Sequence, residues 1–301
     1  MSGTSATFDR SALAGNAPQG RSPTALAVRR LLRSRTAVAG LGITAVLVVV
    51  GLAAPWIAPH EYWRISYDQV QKPPGTPGHL LGTDELGRDV LSRLIYGASI
   101  SLRLGVGATG IAVLLGVLVG AVSGYLGGWL DALLQRVTDT FMALPTLLVA
   151  VSVTAIVERP TMTTLFLIMG FLSWTTVARV VRGRILSLRD NDYAVAARSV
   201  GAGGPRILFR HLLPNCMGPI VVLGTLLVAG MILFEAGLSF LGLGVQPPYP
   251  SWGRMLLDAR PYMEDSPWLM VYPGAAIVLT VLGLNFFGDG LRDAFDPKMK
   301  T

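Results

Sequence analysis

Charged residues leave six long gaps in this chain, at 36–60, 104–130, 140–157, 160–178, 212–234 and 266–288. Each gap is mostly apolar and supplies the roughly 17–25 residues that a helix needs to cross about 30 Å of hydrocarbon. In lipid the backbone finds no water to bond, so such a segment must satisfy its own N–H and C=O groups as a helix. The pattern predicts spans over 36–58, 98–127, 138–157, 161–178, 212–234 and 266–288. The expected fold class is all-α: a polytopic membrane protein with six transmembrane helices over residues 36–298, preceded by a flexible tail over 1–35. A large soluble core has no use for six such runs.

Composition supports this reading. Hydrophobic residues make up 51%, charged residues 14%, and mean hydropathy is +0.54. Soluble domains carry about a quarter charged residues. The net charge of +7 raises nucleic acid as a partner, but the arginines cluster beside the spans, which points to a membrane surface instead. Lys and Arg number 17 on the side that holds the N-terminal tail, the 179–211 segment, Arg136 and the C-terminal residues, against 8 on the other. The positive-inside rule therefore places both termini in the cytoplasm. Cys216 is the sole cysteine, so no internal disulfide can form and redox compartment stays unconstrained. The first 25 or so residues are rich in small polar residues and Pro without an apolar core, unlike a cleaved signal peptide.

Within the second span, Gly116, Gly120 and Gly124 form a small-residue stripe at four-residue spacing. Such a stripe lets two helix backbones approach closely, in this chain or between chains. Residues 190–214 have a different pattern. Asp190 or Asp192 can cap a helix, and Tyr193, Ala196, Ala197 and Val200 recur at helical spacing. Gly201 suits a left-handed stop, and Pro205 suits the first turn of a second short helix, Arg206–Leu213. A helix–glycine–helix unit with a basic rim can dock in a partner's groove and transmit a push; the plainer alternative is a linker.

The run Ala196-Ala197-x3-Gly201-x9-His211-x-Leu213-Pro214 resembles the coupling motif of ABC importer permeases, E-A-A-x3-G-x9-I-x-L-P. Val195 stands at the glutamate and His211 at the isoleucine. Residues 81–97 (LGTDELGRDVLSRLIYG), 235–253 (EAGLSFLGLGVQPPYPSWG) and 285–297 (NFFGDGLRDAFDP) are similar to the outer and C-terminal segments of "C"-type dipeptide/oligopeptide permeases. The resemblance spans about residues 30–298. It implies the type I ABC importer permease fold in a bacterial inner membrane. The implied partners are a second homologous permease, two cytoplasmic ATPases, an extracytoplasmic solute-binding protein and a peptide substrate. No Gly precedes a Lys anywhere, so the phosphate loop is missing and ATP and Mg would bind the partner ATPases. The resemblance assigns the ATPase-coupling role to Tyr193, Ala196, Ala197, Gly201, Pro205, Arg210, His211, Leu213 and Pro214. Related permeases also import nickel complexes, glutathione and some sugars. A secondary transporter would instead show inverted repeats and charges at mid-membrane, and no nucleophile–base arrangement suggests an enzyme.

Glu235 is the single charge between Leu212 and Gly253. It is read as marking the membrane boundary where the fifth helix ends, with an intramembrane role as the alternative. The apolar stretch behind it makes Glu235, Phe240 and Leu241 a candidate outer gate. Asp84, Glu85, Arg88 and Asp89, with Arg93, read as a solvated outer patch available to the binding protein. His60, His79 and His211 lie in separate regions of the sequence, so no metal site is expected.

Overall fold

The computed structural model of the protein describes residues 23–157 and 160–295, with side chains from 28 onward; the remainder of the tail and the C-terminal lysines lie outside the described residues. The described residues are helical, without a strand. Five helices, or consecutive helical runs, are long and apolar enough to cross a membrane: Arg35–Ile57, Val90–Leu126, Met162–Leu188, Gly204–Phe240 and Trp268–Phe295. The pair Gly128–Ala143 and Thr146–Ile156, bent by 82°, supplies a sixth as a broken span. In chain order the elements are α1 (Pro23–Arg33), α2 (Arg35–Ile57), α3 (Val90–Leu126), α4 (Gly128–Ala143), α5 (Thr146–Ile156), α6 (Met162–Leu188), α7 (Asp192–Ser199), α8 (Gly204–Ile207), α9 (Leu213–Phe240), α10 (Trp252–Ala259) and α11 (Trp268–Phe295).

Several boundaries differ from expectation, each for a local reason. Residues 23–33 of the expected tail form a helix. The second span begins at Val90 rather than 98, because Asp89 caps it by accepting a hydrogen bond from the Ser92 N–H at 2.8 Å. The third is two helices, not one. Pro145 disfavours helical geometry at Leu144, whose φ/ψ of −80°/134° breaks the run. The fourth continues past 178 to Leu188, since arginines are good helix formers whose long stems can cover apolar surface.

The glycine stripe packs inside this chain. A Cβ on Gly120 would lie 2.4 Å from the Ala178 carbonyl oxygen, and one on Gly116 2.7 Å from that of Trp174. At Gly124 the Arg182 oxygen would be 2.9 Å away. α3 and α6 thus meet backbone to backbone, which dispersion favours in a solvent that gives helices little hydrophobic reason to associate. Gly40 makes the same kind of approach, bringing α2 against the Phe287 backbone N of α11 at 2.6 Å from a Cβ built there. α1 lies along α11, so the described start and finish share one end of the bundle, called here the near end. The far end carries residues 58–89 and 241–267, including α10.

Candidate functional site: the segment between α6 and α9

α7 begins after Asn191, whose backbone is extended but whose side chain makes no capping bond. The expected cap at Asp190 or Asp192 is therefore not formed, although Asp192 stands in the first turn, where the helix dipole favours an acid. The helix stops as the glycine predicts. Gly201 has φ +79°, its N–H donates to the Arg198 oxygen at 2.9 Å, and the Ala202 N–H donates to the Ala197 oxygen at 3.0 Å. These two bonds make a Schellman turn. Among the described residues nothing lies within 4 Å of a Cβ built on Gly201, so it is the backbone conformation that demands the glycine.

The second helix does not stand alone. Pro205 sits in the first turn of α8, but α8 passes through a π-helical turn, Leu208–Leu212, directly into α9. Pro214 explains the wide turn: it has no N–H to give the Arg210 carbonyl, and its ring crowds that oxygen. The Leu213 N–H instead reaches back to Leu208. The fifth span and the end of the coupling segment are one continuous element, correcting the separate helix expected over 206–213.

Which residues face inward also differs from the predicted face. Ala194 is buried, packed in a cluster with Ile207, Leu208 and Leu212 against Val181 and Ile185 of α6. Ala197 is half-buried against the same cluster. Tyr193, Val195, Ala196 and Val200 are exposed, Val200 at 84%. Pro205, Arg210, Pro214 and Gly201 are exposed too, while His211 and Leu213 are half-buried. Sequence reasoning missed Phe209, 61% exposed on the same segment; it is an aromatic beside buried Leu208, a position the short-helix reading gave no face.

The segment is also tied down. Arg198 donates to the Arg189 carbonyl at 2.6 Å, Arg189 donates to that of Gly124 at 3.3 Å, and Gly204 packs against the Tyr125 ring. Beside it, Arg182 of α6 holds Asp131 of α4 by two bonds of 2.6 and 2.7 Å, and Ser123 of α3 also donates to Asp131. This pairing of distant charges was not visible in the sequence.

At the far end the expected solvated patch is a buried charge cluster. Asp84, Arg88, Asp89 and Arg93 are all under 9% exposed. Arg88 bonds Asp84 at 2.7 Å and Glu85 at 2.5 Å; Arg93 contacts Asp84 at 3.3 Å and Asp258 of α10 at 3.2 Å. Arg254 completes the set on Asp258 at 2.8 Å. Burial, then the neighbouring Asp84 charge, pushes the Glu85 carboxyl above its ordinary range. Asp89 stands apart from this cluster, held by Ser92 and His79.

Glu235 does not mark a helix end at a water boundary. α9 continues to Phe240, and Glu235 is 1% exposed, accepting bonds from Ser239 at 2.5 Å and Ser251 at 2.7 Å. After Phe240 a second Schellman turn closes on Gly242, with φ +84°. Leu241 in that turn is exposed, and the Arg260 guanidinium lies 5.6 Å from the centre of the Phe240 ring. The histidines also regroup: His60 and His79 stack with ring centroids 4.9 Å apart, correcting their expected separation, and only His211 stays elsewhere.

Comparison with known proteins adds a family to this geometry. Residues 112–301 match the model of the binding-protein-dependent transport system inner membrane component, and residues 22–74 match the N-terminal TM domain of oligopeptide transport permease C. The chain is 42% identical over 273 residues to the di/tripeptide transport system permease protein DppC of Pseudomonas aeruginosa, covering 89% of this chain and 90% of that one. It is 38% identical over 274 residues to the oligopeptide transport system permease protein OppC of Bacillus subtilis, covering 91% and 89%. A putative peptide transport system permease protein of Brucella suis is 40% identical over 282 residues, 94% of each chain. The chain thus belongs to the family of inner membrane components of binding-protein-dependent transport systems, as a multi-pass permease.

Proposed function

We propose that this permease forms half of the pore of an ATP-driven importer for di- and oligopeptides, with the 190–214 segment as its contact to an ATPase. The observation that carries the coupling role is α7 itself. Its inner side meets α8 and joins, through Ala194, the buried cluster that α6 and α9 share, while Tyr193, Ala196 and Val200 leave an apolar face open. Exposed apolar groups gathered on a braced element suit a partner's groove. On this reading the near end is cytoplasmic, in line with its arginine excess. A homologous second permease completes the pore, two ATPases bind ATP and Mg, and an extracytoplasmic solute-binding protein delivers peptide to the far end. Buried Asp84, Arg88 and Asp89 are poorly placed to touch that protein directly; they would instead shape the loops that do.

The α8–α9 continuity gives a route for the stroke. A displacement of α7 passes through the Schellman turn and the π-helical turn into α9, whose far end holds Glu235, Phe240 and Leu241. We assign these residues to an outer gate. The reading is tested by reconstituting the chain in liposomes with its partner permease, ATPases and binding protein. Peptide uptake should require ATP and all the chains. Uptake by this chain without an ATPase would refute the proposal.

A further inference from the structure

The far end gathers chemistry that the charge cluster does not use. His60 follows α2, His79 lies in the loop after it, and Asp89 caps α3, yet donor atoms of all three lie within 4.8 Å of one another. We propose that His60, His79 and Asp89 form a binding site for a divalent transition-metal ion of the Zn2+ class.

Geometry makes the case. The His79 Nε2 lies 2.6 Å from the Gln69 side-chain oxygen, and its Nδ1 lies 2.9 Å from Asp89 Oδ1. With the ring proton on Nε2 toward Gln69, Nδ1 turns a lone pair toward the Asp89 carboxylate, the orientation of a ligating imidazole. A cation between that nitrogen and the carboxylate would be bound by both. The Nε2–H to amide-oxygen bond is also how outer partners orient a ligating imidazole. Asp89 is fixed in turn: its Oδ2 accepts from the Ser92 N–H at 2.8 Å and the Ser92 hydroxyl at 2.7 Å.

His60 supplies the third donor. Among the described residues its Nδ1 is buried without a hydrogen-bond partner, and it lies 3.7 Å from Asp89 Oδ2, beyond hydrogen-bond reach. Its backbone N–H donates to Ser92 at 2.9 Å, which holds the residue in place independently of its ring. Tetrahedral zinc with bonds of about 2.0–2.1 Å sets ligand atoms roughly 3.3 Å apart, within the range of the spacings seen here. Two imidazoles and one carboxylate favour Zn2+ and its neighbours over Mg2+ or Ca2+, which prefer oxygen ligands. The three side chains line a cavity of about 250 Å³, which leaves a fourth position for water or an exchanging ligand. Arg64 also lines it but is exposed and free to point away. A bound ion would clip the end of α2 to the start of α3.

The test uses the full chain, purified without a polyhistidine tag, stripped with chelator and equilibrated with Zn2+ alone. Wild type should bind about one ion per chain, resist competition by excess Mg2+, and unfold at a higher temperature with Zn2+ than without, as linkage requires. His60→Ala should weaken binding at least about tenfold and abolish the thermal shift, while its metal-free form unfolds where metal-free wild type does. If alanine disturbs the loop, His60→Asn gives the same comparison with a polar side chain in place. Equal Zn2+ binding by wild type and both variants, or none by wild type, overturns the site.

Discussion

The two ends of the bundle handle their unusual side chains in opposite ways. At the near end, α7 keeps apolar groups outside, with Val200 84% exposed, while a backbone turn and a few buried residues hold it in place. At the far end, Asp84, Arg88 and Arg93 take full charges inside and balance them against Asp258 from a distant segment. The near end keeps an apolar face on its surface over an interior that is mostly apolar. The far end has its adhesive internal, and losing one member leaves a buried imbalance of charge. On the proposed coupling role, α7 would bind and release a partner while the far end stays put, and the two solutions suit those two tasks.

The largest effect should come from breaking the far end. Arg93→Ala leaves Asp84 and Asp258 short of a cation in a buried setting, at a cost of about 3–5 kcal/mol. Thermal unfolding in detergent checks this, and Asp258→Ala added to Arg93→Ala should recover part of the loss because the two residues interact. An unchanged midpoint for the single variant would make the far end no more dependent on its charges than the near end.

Gly201→Val comes next. Nothing blocks the side chain, but φ +79° costs a β-branched residue about 1–2 kcal/mol. Membrane insertion should persist, while ATP-driven uptake falls as the turn is lost; normal uptake would show that the turn's shape is irrelevant. Val200→Asp should be milder for the fold, within about 0.5 kcal/mol because the position is exposed. It should nevertheless reduce co-purification of the ATPase, sharpening the contrast between a surface that binds and an interior that holds.

The smallest effect is electrostatic. Burial and Asp84 raise the Glu85 carboxyl above its ordinary value of 4.5. The folded chain therefore keeps this proton at pH values where the unfolded chain has released it. The resulting stability is complete below 4.5 and declines as pH rises through the raised folded value. Glu85→Gln should flatten that part of the unfolding-versus-pH curve; an identical slope would remove Glu85 from the account.

Membrane spans were legible because bilayer thickness imposes a length on apolar segments that no local detail overrides. The stop at Gly201 was legible because a left-handed residue at a helix end has few substitutes for glycine. The bend at Leu144 could have been read from Pro145. By contrast, the burial of Asp84 and Arg93 depends on Asp258, 165 residues beyond Arg93, and no periodicity reports such a partner. The His60–His79 stack is hidden for the same reason, since a loop of unpredictable path joins them. The inward face of α7 was misread because an eight-residue helix satisfies more than one apolar spacing, and only its place in the buried cluster with Ile207 and Leu208 selects Ala194.

The close fit of α3 on α6 has a mechanical consequence. α6 has 27 residues, about 40 Å of rod at 1.5 Å per residue, and its last turn leads within four residues to α7. Carbonyl oxygens of α6 are seated against Gly116, Gly120 and Gly124, leaving no room even for a methyl group between the two backbones. Packing this close favours movement of the two helices as one unit. On the coupling role proposed for α7, a tilt carried into α6 would reach the first turn of α3, where Asp89 and Arg93 anchor the far-end loops, through backbone packing rather than through a chain of side-chain rearrangements.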